Sequence, residues 1–381
     1  MEQRAGRKRS TRTLAGLGVV LLTAIAIGAL GAAAPRASEE EGNVYVVHNL
    51  VSDQPGVADH MDSHLVNGWG LTRLATSPWW VANNETNTST LYNGSGTPLA
   101  LVVSVPGHPT GAVANAGAGF VVSSGGASGP ARFMFANEAG QIYGWNPNVP
   151  APNSMTATLA TSVPGAIFKG LTLAGGRLYA TDFHHGAVDV FDSTFSKVSV
   201  PGGFADPLVP KDFAPFGIQA IGNRIIVTFA KQDADAEDEL AGIGRGIVDV
   251  FDLDGNLIGH VGLHGLLNAP WGVALAPSTG FGAFSGDLLV GNFGDGRILA
   301  FEPFGNCGFG NGGLPATSDR PCFLSQGQLR GVDHSPIVID GLWGLGFGGG
   351  PGTNSGPSTT LFFAAGPDDE SHGLFGTVVA G

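Results

Sequence analysis

Charge is scarce in this sequence, and basic charge most of all. Asp, Glu, Lys and Arg make up 13% of the residues, with 18 Lys+Arg against 31 Asp+Glu and a net charge of −13. Nucleic-acid binding by phosphate neutralisation needs the opposite sign and is excluded. An acidic surface favours solubility and draws cations instead. Cysteine is nearly absent: Cys307 and Cys322 stand in the Gly-rich stretch FGNCGFGNGGLPATSDRPCF, where Asp319 is the one other metal-ligand type. That is too little for a cysteine metal centre, and in an exported protein a disulfide between the two is the default. Closing that loop contributes about 3 kcal/mol in the chain-entropy picture. No Gly-x-Ser-x-Gly elbow, phosphate loop or His-Glu-x-x-His run is present, so nucleophilic catalysis has no support. No stretch after residue 43 carries a helical period, which leaves strands.

What is abundant is glycine, proline and apolar side chains. Gly 62 and Pro 24 stand beside a hydrophobic share of 43%, which a disordered chain would lack. Many tight turns between short apolar strands account for both. The N-terminus reads as an export signal. Arg4, Arg7, Lys8, Arg9 and Arg12 precede an uncharged run from Leu14 to Leu30, then the small residues Gly31 to Ala34, Pro35 and the acidic Glu39 to Glu41. An uncleaved membrane anchor is the rival reading, since Thr13 to Pro35 approaches the ~20 residues that span a bilayer. Cleavage leaves 13 Lys+Arg against 30 Asp+Glu, a net of −17, in a protein bound for the periplasm, the cell surface or the exterior. After cleavage no membrane contact is expected.

An internal repeat decides the fold class. Six Gly-centred apolar openings recur: WGLTRL (69–74), TGAVAN (110–115), KGLTLA (169–174), FGIQAI (216–221), WGVALA (271–276) and WGLGFG (343–348). Each is followed by a second strand (WWVANN, RFMFANE, RLYATD, RIIVTFAK, DLLVGN, TLFFAAG) and a third (STLYNG, GQIYGWNP, GAVDVFD, GIVDVFD, GRILAFEP, GLFGTVV). A fourth shows in places, as in PLALVVSV (98–105) and GNLIGHVGL (255–263). Spacings of 41, 59, 47, 55 and 72 between the opening glycines match blades with loop insertions. The expected fold is all-β, a six-bladed β-propeller. Its last blade lacks a fourth strand, and NVYVVHNLV (43–51) is the free strand that can complete it and remove a bare edge. Residues 44–381 then form one domain, with 1–34 as signal and 35–43 as linker.

At NLVSDQPGVADH (49–60), STLYNG (89–94), VDVFD (188–192 and 248–252), NAPWGVALAP (268–277), LLVGNFGDG (288–296) and DGLWGLGFG (340–348), the chain resembles an uncharacterised family of exported bacterial propeller proteins. LLVGNFGDGRILAFEP is also remotely similar to NHL-type and gluconolactonase-like propellers. The chain departs from the first family's pattern at Gly68, where Pro is usual, and at His185, where Asn is usual. The resemblance implies the fold and brings no activity with it.

Loops joining second to third strands converge on one face of a propeller. Asn84, Glu138, Asp182 and Asn292 fall at comparable points in their blades, and their oxygens suit Ca2+. Turn-capping is the plainer role for Asn and Asp in tight loops. His184 and His185 beside Asp182 are the general acid/base candidates, one of the two facing the channel, with a loop His bonded to a carbonyl as the alternative. His60, Asp62 and His64 would share one side of an extended strand and suit a transition metal, or simply be solvated. The acidic run Asp233 to Glu239 lacks EF-hand spacing and reads as a solvated loop. Trp69, Phe216, Trp271 and Trp343 precede opening glycines and either line a carbohydrate channel or pack between blades. Two functions follow. One is a monomeric binding or scaffold propeller, holding a small molecule, carbohydrate or protein at its channel mouth through Asn84, Glu138, Asp182, His184 and Asn292. The other is a Ca2+-dependent hydrolase or lactonase of the gluconolactonase-like kind.

Overall fold

The computed structural model describes residues 42–303 and 323–381. The expected export segment and both cysteines, with their expected disulfide, lie outside the described residues. Among the described residues no helix is long and apolar enough to cross a membrane.

The strands form where apolar and β-branched runs lie between Gly and Asn turns, and they assemble into six sheets arranged as the blades of one propeller. The inner strands of blades one to six are Gly68–Thr72, Pro109–Ala114, Phe168–Ala174, Phe213–Ile221, Pro270–Leu275 and Leu342–Phe347. Each touches the next, and the sixth touches the first, so the ring is closed. Blade three shows how alternation builds it. Along Arg177–Asp182, Leu178 and Ala180 pack with Met134 and Ala136 of blade two, whereas Tyr179 packs with Ile218 and Ile225 of blade four. Both faces of a blade are buried, each against a different neighbour, and the two-residue period sorts side chains between them.

The repeated opening glycines mark where neighbouring inner strands come closest. A Cβ at Gly70, Gly111, Gly217, Gly272 or Gly344 would fall inside contact distance of the next inner strand's backbone, at Ala112, Leu171, Trp271, Trp343 and Trp69 respectively. Thr181 and Thr228 tie the ring at the same level. Each accepts from the amide of its own blade's opening glycine, Gly170 at 2.7 Å and Gly217 at 2.8 Å. Each also donates to a carbonyl of the next blade, Phe216 at 2.7 Å and Pro270 at 2.6 Å.

Tyr45–Ser52 pairs antiparallel with Leu374–Ala380 and completes the sixth blade, as expected. Two features were not anticipated: His60–Met61 adds a short parallel strand outside that closure, and blade two carries an inserted hairpin, Val121–Ser124 with Ala127–Pro130. The fourth strand of blade one shrinks from the expected 98–105 to Val103–Ser104, because Pro98 meets Tyr92 in a single bridge and Leu99 turns to solvent.

Candidate functional site

The residues just before the opening glycines form a column around the ring: Trp69, Thr110, Lys169, Phe216, Trp271 and Trp343. Its aromatics plug the axis. Trp69 stacks on Trp343 with centroids 3.5 Å apart, and Trp271 meets Trp343 edge-on at 5.7 Å. Trp69, Phe216 and Trp343 are buried and Trp271 is half-buried, so packing explains these rings and they do not line an open channel. A cavity of about 20 Å³, bordered by Gly70, Trp271, Gly272 and Gly344, is what remains beneath the plug.

Lys169 is the exception in the column. Its side chain is 1% exposed, and its Nζ lies 5.3 Å from the centre of the Trp69 ring, a cation–π contact that the small Thr110 between them permits. Loops of three blades bring carboxylates to it. Glu138, one residue past the second strand of blade two, receives a 2.7 Å bond from Nζ. Asp238, in the long loop of blade four, stands 3.5 Å from Nζ. Glu239 follows it, and Glu370 approaches from the loop of blade six. Asn84 donates to the other oxygen of Glu138 at 3.4 Å. Burial disfavours the Lys169 ammonium, yet Glu138, Glu239 and Asp238 together hold its pKa above the ordinary lysine value.

The acidic side of this cluster exceeds its positive charge. Burial pushes Glu239 up to about 8, against the pull of Lys169 and with a push from Glu370. Glu239 keeps some contact with solvent, as a group deep in a funnel does. Glu370 is raised to about 7, first by burial and then by the charge of Glu138, with Lys169 and an Asn67 bond opposing. Its loop is strained. Asp368, Asp369 and Glu370 all have positive φ (55°, 52° and 68°), which is rare for consecutive non-glycine residues. Backbone held this way costs of order 1–3 kcal/mol per residue and concentrates at functional sites. Bonds from Asp368 N to Asp340 Oδ2 (2.9 Å) and from Ser371 Oγ to Asp368 O (2.7 Å) keep it in place.

Of the residues singled out in the sequence, Asn84 and Glu138 meet at this mouth. Asp182 and Asn292 stand one register position earlier, at the last residue of their second strands, alongside Asn83 and Asn137. There they tie each loop to the segment entering the same blade. Asp182 Oδ1 accepts from Ile167 N at 3.3 Å and His185 N at 3.1 Å. Asn292 accepts from Asn268 N at 3.1 Å and donates to Leu266 O at 2.9 Å. The partner of Asp182 is His185, at 2.7 Å, while His184 is exposed with its Nδ1 3.3 Å from the Ala236 carbonyl. Asp62 accepts from Tyr92 Oη at 2.9 Å and lies 3.0 Å from His64, but the strand there ends at Met61, so no extended His60–Asp62–His64 face forms. Asp238 and Glu239, read as part of a solvated run, turn inward to Lys169. Lys169 itself was missed, although a lysine in an otherwise apolar and aromatic column was a visible signal.

Fold and site define a class: a six-bladed propeller whose axial mouth carries a buried lysine under a crown of carboxylates. The chain is 31% identical over 349 residues to Uncharacterized protein L690 of Acanthamoeba polyphaga mimivirus, covering 87% of this chain and 85% of that protein. It is 30% identical over 346 residues to Uncharacterized protein R648 of the same virus, covering 87% and 79%. It belongs to the family these two represent. No protein-family profile matches the chain. Among solved structures, the soluble aldose sugar dehydrogenase of Escherichia coli is 12% identical with a TM-score of 0.49, covering 89% of this chain and 100% of that one. A streptogramin B lyase is 12% identical with a TM-score of 0.44, covering 91% and 100%.

Proposed function

We propose that the protein is a ligand-binding propeller whose mouth, above Lys169, takes a cation, with Ca2+ the ion its oxygen donors suit. The observation that carries this reading is charge imbalance. Glu138, Asp238, Glu239 and Glu370 face one another around a single ammonium, and burial, reinforced by the neighbouring carboxylates, keeps two of them protonated near neutral pH. A cation in the mouth supplies that charge and displaces the protons. Asn84 donates to Glu138, and Asn67, whose oxygen accepts from Trp343 Nε1, bonds to Glu370. Export of a monomer and capture of a small molecule, carbohydrate or protein at this mouth belong to the same reading. Among the earlier candidates, Asn84 and Glu138 are first-rank ligands, and Asp182, His184 and Asn292 shape the loops around them.

A hydrolase or lactonase reading has one observation of its own. A carboxyl group with a pKa near 8, as on Glu239, is a proton donor at neutral pH, next to a carboxylate–lysine pair. Calorimetric titration with Ca2+ tests the first reading. Wild type is expected to bind with micromolar-to-millimolar affinity and to gain thermal stability, and Glu138→Gln and Glu370→Gln are expected to lose both. A wild type indifferent to Ca2+ and to chelator would sink it. Turnover of a small-lactone panel that Glu239→Gln abolishes would move the assignment to catalysis.

A further inference from the structure

A second cluster lies away from the axis, inside blade four. Asp249 is in the third strand, Gly246–Phe251, and His260 is in the outer strand, Leu257–Leu263. Cross-strand pairing sets the two directly opposite each other. Asp206 reaches them from the connection between blades three and four. One potential ligand atom from each lies within 4.8 Å of the others. His260 Nδ1 is 2.8 Å from Asp249 Oδ1 and 3.5 Å from Asp206 Oδ2. All three side chains are closed to solvent, at 2%, 0% and 1% exposure for His260, Asp249 and Asp206.

Asp249 Oδ2 and Asp206 Oδ2 are both buried without a hydrogen-bond donor. Two carboxylates sharing a dry site with one imidazole are costly unless paired or bound to a metal. Asp206 borders a surface cavity of about 470 Å³ that His185, Lys211 and Phe229 help to line.

We propose that Asp206, Asp249 and His260 form a binding site for a divalent transition ion of the Zn2+ class. One imidazole nitrogen and two carboxylate oxygens are the donor types such an ion takes, and the three residues leave a fourth position for water. Calcium, which wants six or more oxygens, is disfavoured by the imidazole and the small donor count. Binding replaces the proton that His260 Nδ1 shares with Asp249 Oδ1, so uptake releases a proton to solvent. The ion ties the 199–212 connection to the outer half of blade four, a structural role independent of the axial mouth.

The test uses the full exported chain, stripped with chelator and titrated with Zn2+ by calorimetry in buffers of different ionisation enthalpy. The expected result is one site that survives Glu138→Gln and excess Ca2+, with net proton release. In Asp206→Asn and Asp249→Asn the affinity should fall ~100-fold or more, beyond the ~10–100-fold that losing an outer-shell partner costs. Because Asp249→Asn alters a fully buried side chain and its folding is at stake, Co2+ is added to wild type as a second measurement. Intense visible bands of a four-coordinate site, abolished by Zn2+, support the proposal. Bands no stronger than those of aqueous Co2+, no Zn2+ uptake, or uptake unchanged in Asp206→Asn overturn it.

Discussion

Lys169 is buried beside Trp69 with its ammonium among carboxylates, and Glu239 is the residue whose protonation follows most directly from that crowding. In the folded protein Glu239 keeps its proton up to about pH 8, whereas the unfolded chain releases it near the ordinary glutamate value of 4.5. Between those values the folded state binds more protons than the unfolded state, so this group's contribution to stability falls as pH rises. Glu239→Gln removes the dependence. The variant is expected to gain on wild type progressively from pH 4.5 to 8. The gain at the upper end should be about 1–2 kcal/mol, less than full linkage because the group keeps some solvent contact. Denaturant melts at several pH values check this, and a variant that loses ground as pH rises would contradict it. Little of this was legible beforehand: Glu239 sits in an acidic run that by composition alone belongs to a solvated loop.

At the scale of elements, the ring is held where inner strands meet. Thr228 accepts from Gly217 N and donates to Pro270 O, all buried, so one hydroxyl satisfies backbone groups of two blades. Thr228→Val keeps the shape and removes both bonds. It is expected to cost about 2–3 kcal/mol, because a buried amide and a carbonyl are left unpaired. Thermal melts of the variant beside an exposed Thr→Val control such as Thr97→Val measure it. The opening glycines were readable as a repeat, but their reason is visible only between blades, where a Cβ at Gly217 would meet the Trp271 backbone. The same holds for the loops. Asn83, Asn137, Asp182 and Asn292 are equivalent by strand register, and this one-position offset separated Asn84 and Glu138 from the two residues grouped with them.

The whole molecule depends on joining its two ends. Tyr45–Ser52 covers the edge of Leu374–Ala380, and Val51 is completely buried there. A chain beginning at residue 53 exposes that edge, together with Phe375 and Phe362, to other molecules. It is expected to form larger oligomers or aggregates than the intact chain does, as light scattering during gel filtration would report. A monomeric, cooperatively melting truncation would show that the closure is dispensable.

The sequence by itself determined the blades, their number and the strand that closes them, because those rest on local alternation, turn residues and a repeat read along the chain. It also grouped Glu138 with Asn84, which meet above Lys169. Only the tertiary structure decided which charges meet. Glu138, Lys169, Asp238 and Glu370 come from four different blades, and Asp206, Asp249 and His260 from a connection and two strands. Distances between such groups are set by how the ring closes, and burial then decides which of them remain charged.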